Sequence, residues 1–259
     1  MDTRQEKQLK VLVIGESCLD IFVRGKVQRL CPEAPAPVFL PEKTFKNTGM
    51  AGNVSENLKS LSIDHDIITN KNFKSITKTR YIDDRTNTMF IRVDKNDNKV
   101  KRCDVSQIKF SLYSAIIVAD YCKGFLTEED ITHITKNHNK VFLDTKKILG
   151  SWCHAAFIIK INNSEFERSQ HTLNKSIREK VICTQGPFGC LFREKLYPVK
   201  EVEIKDVSGA GDTFLAALVA LYAKTQNLEK SIIFANVCAT QVVQQRGVTP
   251  VIISWENYQ

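Results

Sequence analysis

The sequence predicts an α/β protein whose mostly parallel sheet is covered by helices on both faces and carries a small β flap. Three observations support this. Short β-branched or apolar runs recur at residues 11–14, 115–118, 141–143, 156–159 and 181–183, each ending in a polar residue or glycine, as buried parallel strands do. Helical signals lie between them: Thr127 with Glu128, Glu129 and Asp130 is a capping-box-like start, and residues 53–61 place Val54, Leu58 and Leu61 on one face. Two stretches break the rhythm and supply the flap. Residues 23–48, with Pro32, Pro35, Pro37 and Pro41, read as extended edge structure, and residues 79–102 as a hairpin with turn chemistry at 83–87 and 95–98. The last third is helical, with residues 228–245 ending at Gly247 as a C′ residue. No internal repeat or linker divides the chain, so one domain over residues 1–259 is expected.

Composition narrows the function classes. Lys and Arg number 37 against 29 Asp and Glu, an excess of +8. The basic residues are dispersed, with modest clustering at 71–80 and 95–102. That pattern suits a solvated positive surface or attraction of small phosphorylated ligands, and no nucleic-acid partner is expected. The eight cysteines form no C-x-x-C and no recurring spacing, so they read as free thiols, with Cys183 and Cys238 as small core residues. Residues 1–7 place no apolar segment behind a basic start, and the longest apolar run, 214–223, is too short to cross a bilayer. A cytoplasmic protein with no membrane partner is expected.

The absent motifs are equally informative. There is no G-x-x-x-x-G-K-[ST], no G-x-G-x-x-G after a strand and no G-x-S-x-G; the five histidines lack metal spacing. What remains is Asp206-Val207-Ser208-Gly209-Ala210-Gly211-Asp212, followed by an apolar run that reads as a buried helix. Its two glycines permit a tight turn and close approach to a ligand, and the first N–H groups of the helix face that turn, which makes an anion site. Asp212, read as the last position before the helix, is then a candidate to take a proton from an alcohol while the neighbouring N–H groups hold phosphate oxygens.

Four further constellations follow predicted strands or open a helix, and each has a second reading. Gly15-Glu16-Ser17-Cys18-Leu19-Asp20 offers a carboxylate to sugar hydroxyls or is an ordinary turn. Gly49-Met50-Ala51-Gly52-Asn53 brings backbone close to a polar ligand or is an N-cap. Asn162-Asn163-Ser164-Glu165 orients water around magnesium or caps a helix. Thr184-Gln185-Gly186-Pro187-Phe188-Gly189 offers a hydroxyl and N–H groups to phosphate or is a plain loop. Their order places them along one sheet edge, where ligands of such sheets bind.

These residues resemble the ribokinase/PfkB-type carbohydrate kinases. Asp206-Val207-Ser208-Gly209-Ala210-Gly211-Asp212-Thr213 looks like the C-terminal signature of that family, Gly186 and Gly189 fall in its T-x-G-x-x-G loop, and Asn162 and Glu165 match N-x-x-E. Within it, the stretches at residues 29–38, Ala119-Asp120-Tyr121-Cys122-Lys123-Gly124, Asp144-Thr145-Lys146, 162–167 and Phe234-Ala235-Asn236 are similar to heptose-7-phosphate kinases, nearly end to end. The resemblance implies a ribokinase-like three-layer α/β/α sandwich with a β lid. It also implies ATP- and magnesium-dependent phosphorylation of the anomeric hydroxyl of a heptose 7-phosphate, a step toward ADP-heptose and lipopolysaccharide core. Asp212 is then the base, and Gly209, Ala210 and Gly211 form the anion hole. Asp20, Gly49 and Asn53 take the sugar, and Lys123 its phosphate. Asn162 and Glu165 serve magnesium through phosphates and water, with no direct metal ligand assigned; Thr184, Gly186, Gly189 and Asn236 line the ATP site. A homodimer through the lid is also implied.

Two departures stand out. Gly49-Met50 replaces the usual paired glycines, where the methionine is expected to narrow or reshape the sugar pocket. Between Leu61 and Thr77 the chain is shorter than its relatives by about 25 residues, one β/α unit. It also ends early after Val251, and nothing resembling an adenylyltransferase half is present, so a nucleotidyl step is expected of another protein. The alternatives are a kinase of another sugar or nucleoside, and a catalytically silent nucleotide- or sugar-binding regulatory partner.

Overall fold

The computed structural model describes residues 9–253; the reading of residues 1–7 lies outside them. In chain order the elements are β1 (Lys10–Gly15), β2 (Ser17–Leu30), β3 (Pro37–Met50), α1 (Ala51–Ser60), β4 (Asp64–Ile68), β5 (Thr77–Asp83) and β6 (Met89–Lys95). Then come β7 (Ala115–Asp120), α2 (Glu128–Asn137), β8 (Val141–Thr145), β9 (Ile158–Asn162), α3 (Asn163–Ser169) and α4 (Lys175–Arg178). The chain continues through β10 (Val181–Thr184), β11 (Cys190–Phe192), β12 (Lys195–Tyr197), α5 (Ala210–Thr225) and α6 (Leu228–Val242).

The main sheet runs β12-β11-β10-β9-β8-β7-β1-β4. It is parallel from β10 to β4, with β11 and β12 antiparallel at one edge. Side chains alternate along each strand, so one strand feeds two cores: Val11 and Val13 pack in the layer of α1, α5 and α6, whereas Leu12 and Ile14 pack in the layer of α2 and α4. This is the expected three-layer α/β/α sandwich. Every residue of α5 from Asp212 to Ala223 is buried, which accounts for its unbroken apolar run. The start of α2 is a full capping box between Thr127 and Asp130.

A second sheet, β3-β2-β5-β6, forms the lid. It is broader than the sequence suggests, since β2 starts directly after β1 and β3 runs to the start of α1. Pro37 opens β3, and Pro41 sits opposite Gly25 at a register shift, positions where a missing N–H is tolerated. The turn at residues 83–87 joins β5 to β6 as expected. Beyond β4, a 3-10 turn at Phe73–Ser75 leads straight into the lid strand β5, with no helix in between.

Two boundary expectations are corrected. Helix α5 begins at Ala210, with Gly209 as its N-cap in the left-handed conformation (φ 80), so Asp212 lies inside the first turn rather than before it. Helix α6 ends at Val242, because the carbonyl of Val243 accepts the N–H groups of Lys205 (2.8 Å) and Asp206 (3.2 Å). Gly247 is therefore not the C′ residue; it lies in the following loop and donates its N–H to Asp206. Among the described residues no helix is long and apolar enough to cross a membrane, and all eight cysteines are free.

Candidate active site

At the first turn of α5 the N–H of Ala210 reaches the Val207 carbonyl only at 3.3 Å and the N–H of Gly211 has no carbonyl one turn back to accept it, and the turn points at the carboxyl edge of the main sheet. Gly209 is required at its head by a positive φ and by crowding, since a Cβ there would lie 2.7 Å from Asn53 Nδ2. Asp212 is buried at this turn. Asn53 of α1 donates Nδ2–H to its Oδ2 at 3.0 Å, and the Tyr121 hydroxyl donates to its Oδ1. Burial pushes the Asp212 carboxyl up to about 6, while the hydrogen bonds from Tyr121 and Asn53 pull it back. A carboxylate so tuned is ionised at neutral pH yet basic enough to accept a proton.

Both donors are themselves fixed. The Asn53 Oδ1 accepts from Asn57 Nδ2 at 3.2 Å, which orients the amide toward Asp212 rather than leaving it free for a sugar. Tyr121 follows β7, and its loop wraps the buried Glu16 carboxylate. Glu16 accepts the N–H groups of Tyr121 (2.8 Å), Lys123 (2.8 Å) and Phe125 (3.4 Å). Burial, then the nearby Asp120, pushes the Glu16 carboxyl up. The Met50 side chain packs with Cys18 and Ile76 in a cluster that Tyr121 joins, so it buttresses the tyrosine. Its backbone sits at φ 60, ψ −131, a region that strains any side chain other than glycine's hydrogen.

The lid supplies the facing wall. Arg80 Nη1 pairs with Asp20 Oδ1 at 2.5 Å, leaving Oδ2 to face Gly49. A Cβ at Gly49 would lie 2.2 Å from that oxygen, so only glycine permits this approach. Lys123 is paired with Asp97 at 2.6 Å. Asn47 Nδ2 donates to the Val248 carbonyl (2.6 Å) and Asn87 Nδ2 to the Lys205 carbonyl (2.7 Å), tying the lid to the loops beside α5 and α6.

On the other side of the α5 N-terminus lies a mostly apolar pocket of about 200 Å³, lined by Thr184, Gly186, Gly189, Gly211, Val243 and Asn236. Its size and its few polar groups suit a planar heterocycle and its sugar. Asn236 donates to the Tyr197 carbonyl at 2.8 Å, which holds its amide at the wall. Asn162 and Glu165 form a complete capping box at α3. Glu165 is also salt-bridged to Lys146 at 2.6 Å, so this pair is a cap and part of a charge network at once. Lys160 pairs with Asp144 at 2.7 Å, and its Nζ lies 2.8 Å from where a side chain at Gly211 would begin. Burial pushes the Asp144 carboxyl up, but Lys160 and Lys146 outweigh it and hold it below the ordinary range. Among the described residues no cluster of three or more His, Cys, Asp or Glu could hold a metal. Asn162 and Glu165 are oxygen donors of the kind that meet magnesium through water and phosphate oxygens.

The structure thus gathers Asp212, Gly209, Ala210, Gly211 and Asn53 around one point, with Asp20, Gly49 and Lys123 toward the lid. Thr184, Gly186, Gly189, Asn236, Asn162 and Glu165 lie on the far side. Sequence reasoning gave no role to Tyr121, Glu16, Arg80 or Lys160. Lys160 had a signal, a lone cation inside an apolar strand, where a buried lysine needs a partner.

The sequence pattern of the pfkB family carbohydrate kinase matches residues 49–255. Bifunctional protein HldE of Helicobacter pylori strain J99 is 32% identical over 294 residues, covering 92% of this chain and 63% of that protein. Bifunctional protein HldE of Nitratiruptor is 29% identical over 302 residues, covering 96% of this chain and 65% of that protein. The chain therefore spans 63–65% of the length of these two relatives. Among solved structures, a Methanocaldococcus jannaschii nucleoside kinase of the ribokinase family superposes with TM-score 0.71 at 18% identity, covering 96% of each chain. Arabidopsis thaliana ribokinase, complexed with ribose and ATP, superposes with TM-score 0.67 at 14% identity over 94% of this chain and 96% of its own. The fold is accordingly ribokinase-like. The chain belongs to the pfkB family of carbohydrate kinases, phosphotransferases that take an alcohol group as acceptor.

Proposed function

We propose that this carbohydrate kinase transfers the γ-phosphoryl group of ATP to the anomeric hydroxyl of a heptose 7-phosphate, giving the 1,7-bisphosphate. The observation that carries this reading is the buried Asp212 carboxylate at the head of α5, hydrogen-bonded by Tyr121 and Asn53. Support for the acceptor comes from the likeness to the HldE proteins, of which this chain spans 63–65% of the length.

The division of labour follows from position. ATP, with magnesium on its phosphate oxygens, supplies the electrophilic phosphorus when bound. Asp212 takes the proton of the acceptor hydroxyl as that oxygen bonds to phosphorus and the bond to the ADP oxygen breaks. The N–H groups of Gly209, Ala210 and Gly211 hold the charge that develops on the transferred group, and the Lys160 ammonium, positioned by its pair with Asp144, lies directly beneath Gly211. Thr184, Gly186, Gly189 and Asn236 position the nucleotide, with Asn162 and Glu165 beside its phosphates. Asp20, through its free Oδ2, and the backbone at Gly49 orient the sugar. The lid excludes water. The opposite face of the lid exposes Met89, Ile91 and Val93, an apolar area that suits a second copy of the chain.

The test is ATP consumption across a panel of phosphorylated and free sugars and nucleosides. The reading predicts the highest kcat/KM for heptose 7-phosphate. A higher value for a nucleoside or a neutral sugar would displace heptose 7-phosphate as the acceptor.

A further inference from the structure

The kinase reading, on which this inference rests, requires a partner for the phosphate that the acceptor already carries. Lys123 alone is poorly placed to neutralise it. It is paired with Asp97 at 2.6 Å, and Lys78 lies 4.0 Å from both Asp94 and Asp97. Arg92 also holds Asp94 at 2.9 Å, so three cations there face two carboxylates, 3 − 2 = +1, and every one of the three is already engaged by a carboxylate.

A different pocket, of about 470 Å³, opens along the inner face of the lid between β2, β3 and the loop after α6. Its polar lining is Arg24, Lys43, Asn47, Arg246, Thr249 and a single acid, Asp84. Three cations against one carboxylate leave 3 − 1 = +2. Arg24 is buried and locked by Asp84 at 3.2 Å and by Asn87 Oδ1 at 3.1 Å, so its charge is held in place. Arg246 shares Asp84 at 3.6 Å. The ammonium of Lys43 makes no ion pair or hydrogen bond among the described residues. The Thr249 hydroxyl is buried with no partner, a donor available at the pocket wall.

The pocket is continuous with the sugar side of the site. Asn47 is the cross-strand partner of Asp20, and Phe22 is the next residue on the same face. Val248, on the pocket floor, lies against Gly209 of the anion hole, 3.1 Å from where a Cβ there would stand. At ~3.3 Å rise per residue, Arg24 Cα is ~13 Å from that of Asp20, a span that a seven-carbon acceptor and the arginine side chain bridge together.

We infer that this pocket is the subsite for the phosphate that the acceptor carries remote from its reacting hydroxyl. Lys43 and Arg246 meet the dianion, Arg24 supplies a fixed field and Thr249 donates a hydrogen bond. The subsite makes the enzyme selective for sugar monophosphates over their unphosphorylated counterparts.

Steady-state kinetics at saturating ATP test this with wild type, Lys43→Met and Arg246→Gln, each given heptose 7-phosphate and unphosphorylated heptose. Lys43 has no partner to lose, so its variant should melt as wild type does. The KM for the phosphorylated acceptor should rise about tenfold in each variant, the loss of one charge-assisted contact, with kcat and the KM for ATP within about twofold. The wild-type preference over unphosphorylated heptose should shrink by the same factor. An unchanged KM in both variants beside an active wild type overturns the subsite alone. A wild type that transfers nothing to heptose 7-phosphate but acts on a neutral acceptor overturns the acceptor reading, and the subsite with it.

Discussion

The Tyr121 hydroxyl donates to the Asp212 carboxylate, and the backbone N–H of the same tyrosine donates to Glu16 at 2.8 Å. A base from the last third of the chain is thus set by a side chain from the loop after β7, itself set by an acid just past β1. That relay crosses the carboxyl edge of the sheet and makes the basicity of Asp212 a property of three elements.

Removing the donor should therefore move a titration. Tyr121→Phe takes away a hydrogen bond that favours the ionised carboxylate, so the Asp212 carboxyl should rise above about 6. The acidic limb of the pH dependence of kcat/KM should shift to higher pH, with the KM for ATP little changed. An unmoved limb would separate Tyr121 from the base.

Met50 is informative about strain. Its side chain fills the cluster with Cys18 and Ile76 while its backbone holds φ 60. Met50→Ala should cost about 2–3 kcal/mol for the lost packing. Met50→Gly loses the same packing but releases strain of about 1–2 kcal/mol, so it should be the more stable of the two. Urea denaturation of both variants decides it; a Met50→Gly variant less stable than Met50→Ala by the ~0.4–1 kcal/mol that glycine's freedom in the unfolded chain costs would mean the positive φ stores no strain.

The elevated Asp212 carboxyl also has a stability consequence. A group raised in the folded state, from 3.8 to about 6, favours folding below about 3.8 and loses that contribution as pH rises through about 6. At neutral pH the buried charge costs up to about 3 kcal/mol. Asp212→Asn should therefore be more stable than wild type near pH 8, with the gain fading on acidification. A variant less stable than wild type at pH 8 would contradict that sign.

The lid surface predicts assembly. Ile91 and Val93 project from one face of β6, and both are exposed. Light scattering should give a dimer for wild type and a monomer for Ile91→Glu, which places a charge in an apolar interface. A monomeric wild type at working concentration would remove the lid contact.

Much of this was legible in sequence because the signals were local. The β-branched runs became β1, β7, β8, β9 and β10, the Thr127 cap became α2, and Gly209 to Asp212 stood out by spacing alone. What was not legible was long-range. Asn53 and Asp212 are 159 residues apart and Tyr121 and Asp212 are 91 apart, so neither pairing has a spacing to read. Asn162 and Glu165 form the helix cap that the local pattern offers, and the ion pair of Glu165 with Lys146 has no spacing to read. The end of α6 was misjudged because a carbonyl taken by the N–H groups of Lys205 and Asp206 stops that helix, rather than a glycine.

The central claim is that Asp212 takes the proton of the acceptor hydroxyl at the head of α5. Phosphate transfer from ATP to heptose 7-phosphate by Asp212→Asn, beside wild type at the same pH and with folding verified, tests it most directly. The account predicts a fall in kcat of about 10³-fold or more with the KM for ATP nearly unchanged. A kcat within about tenfold of wild type would contradict it.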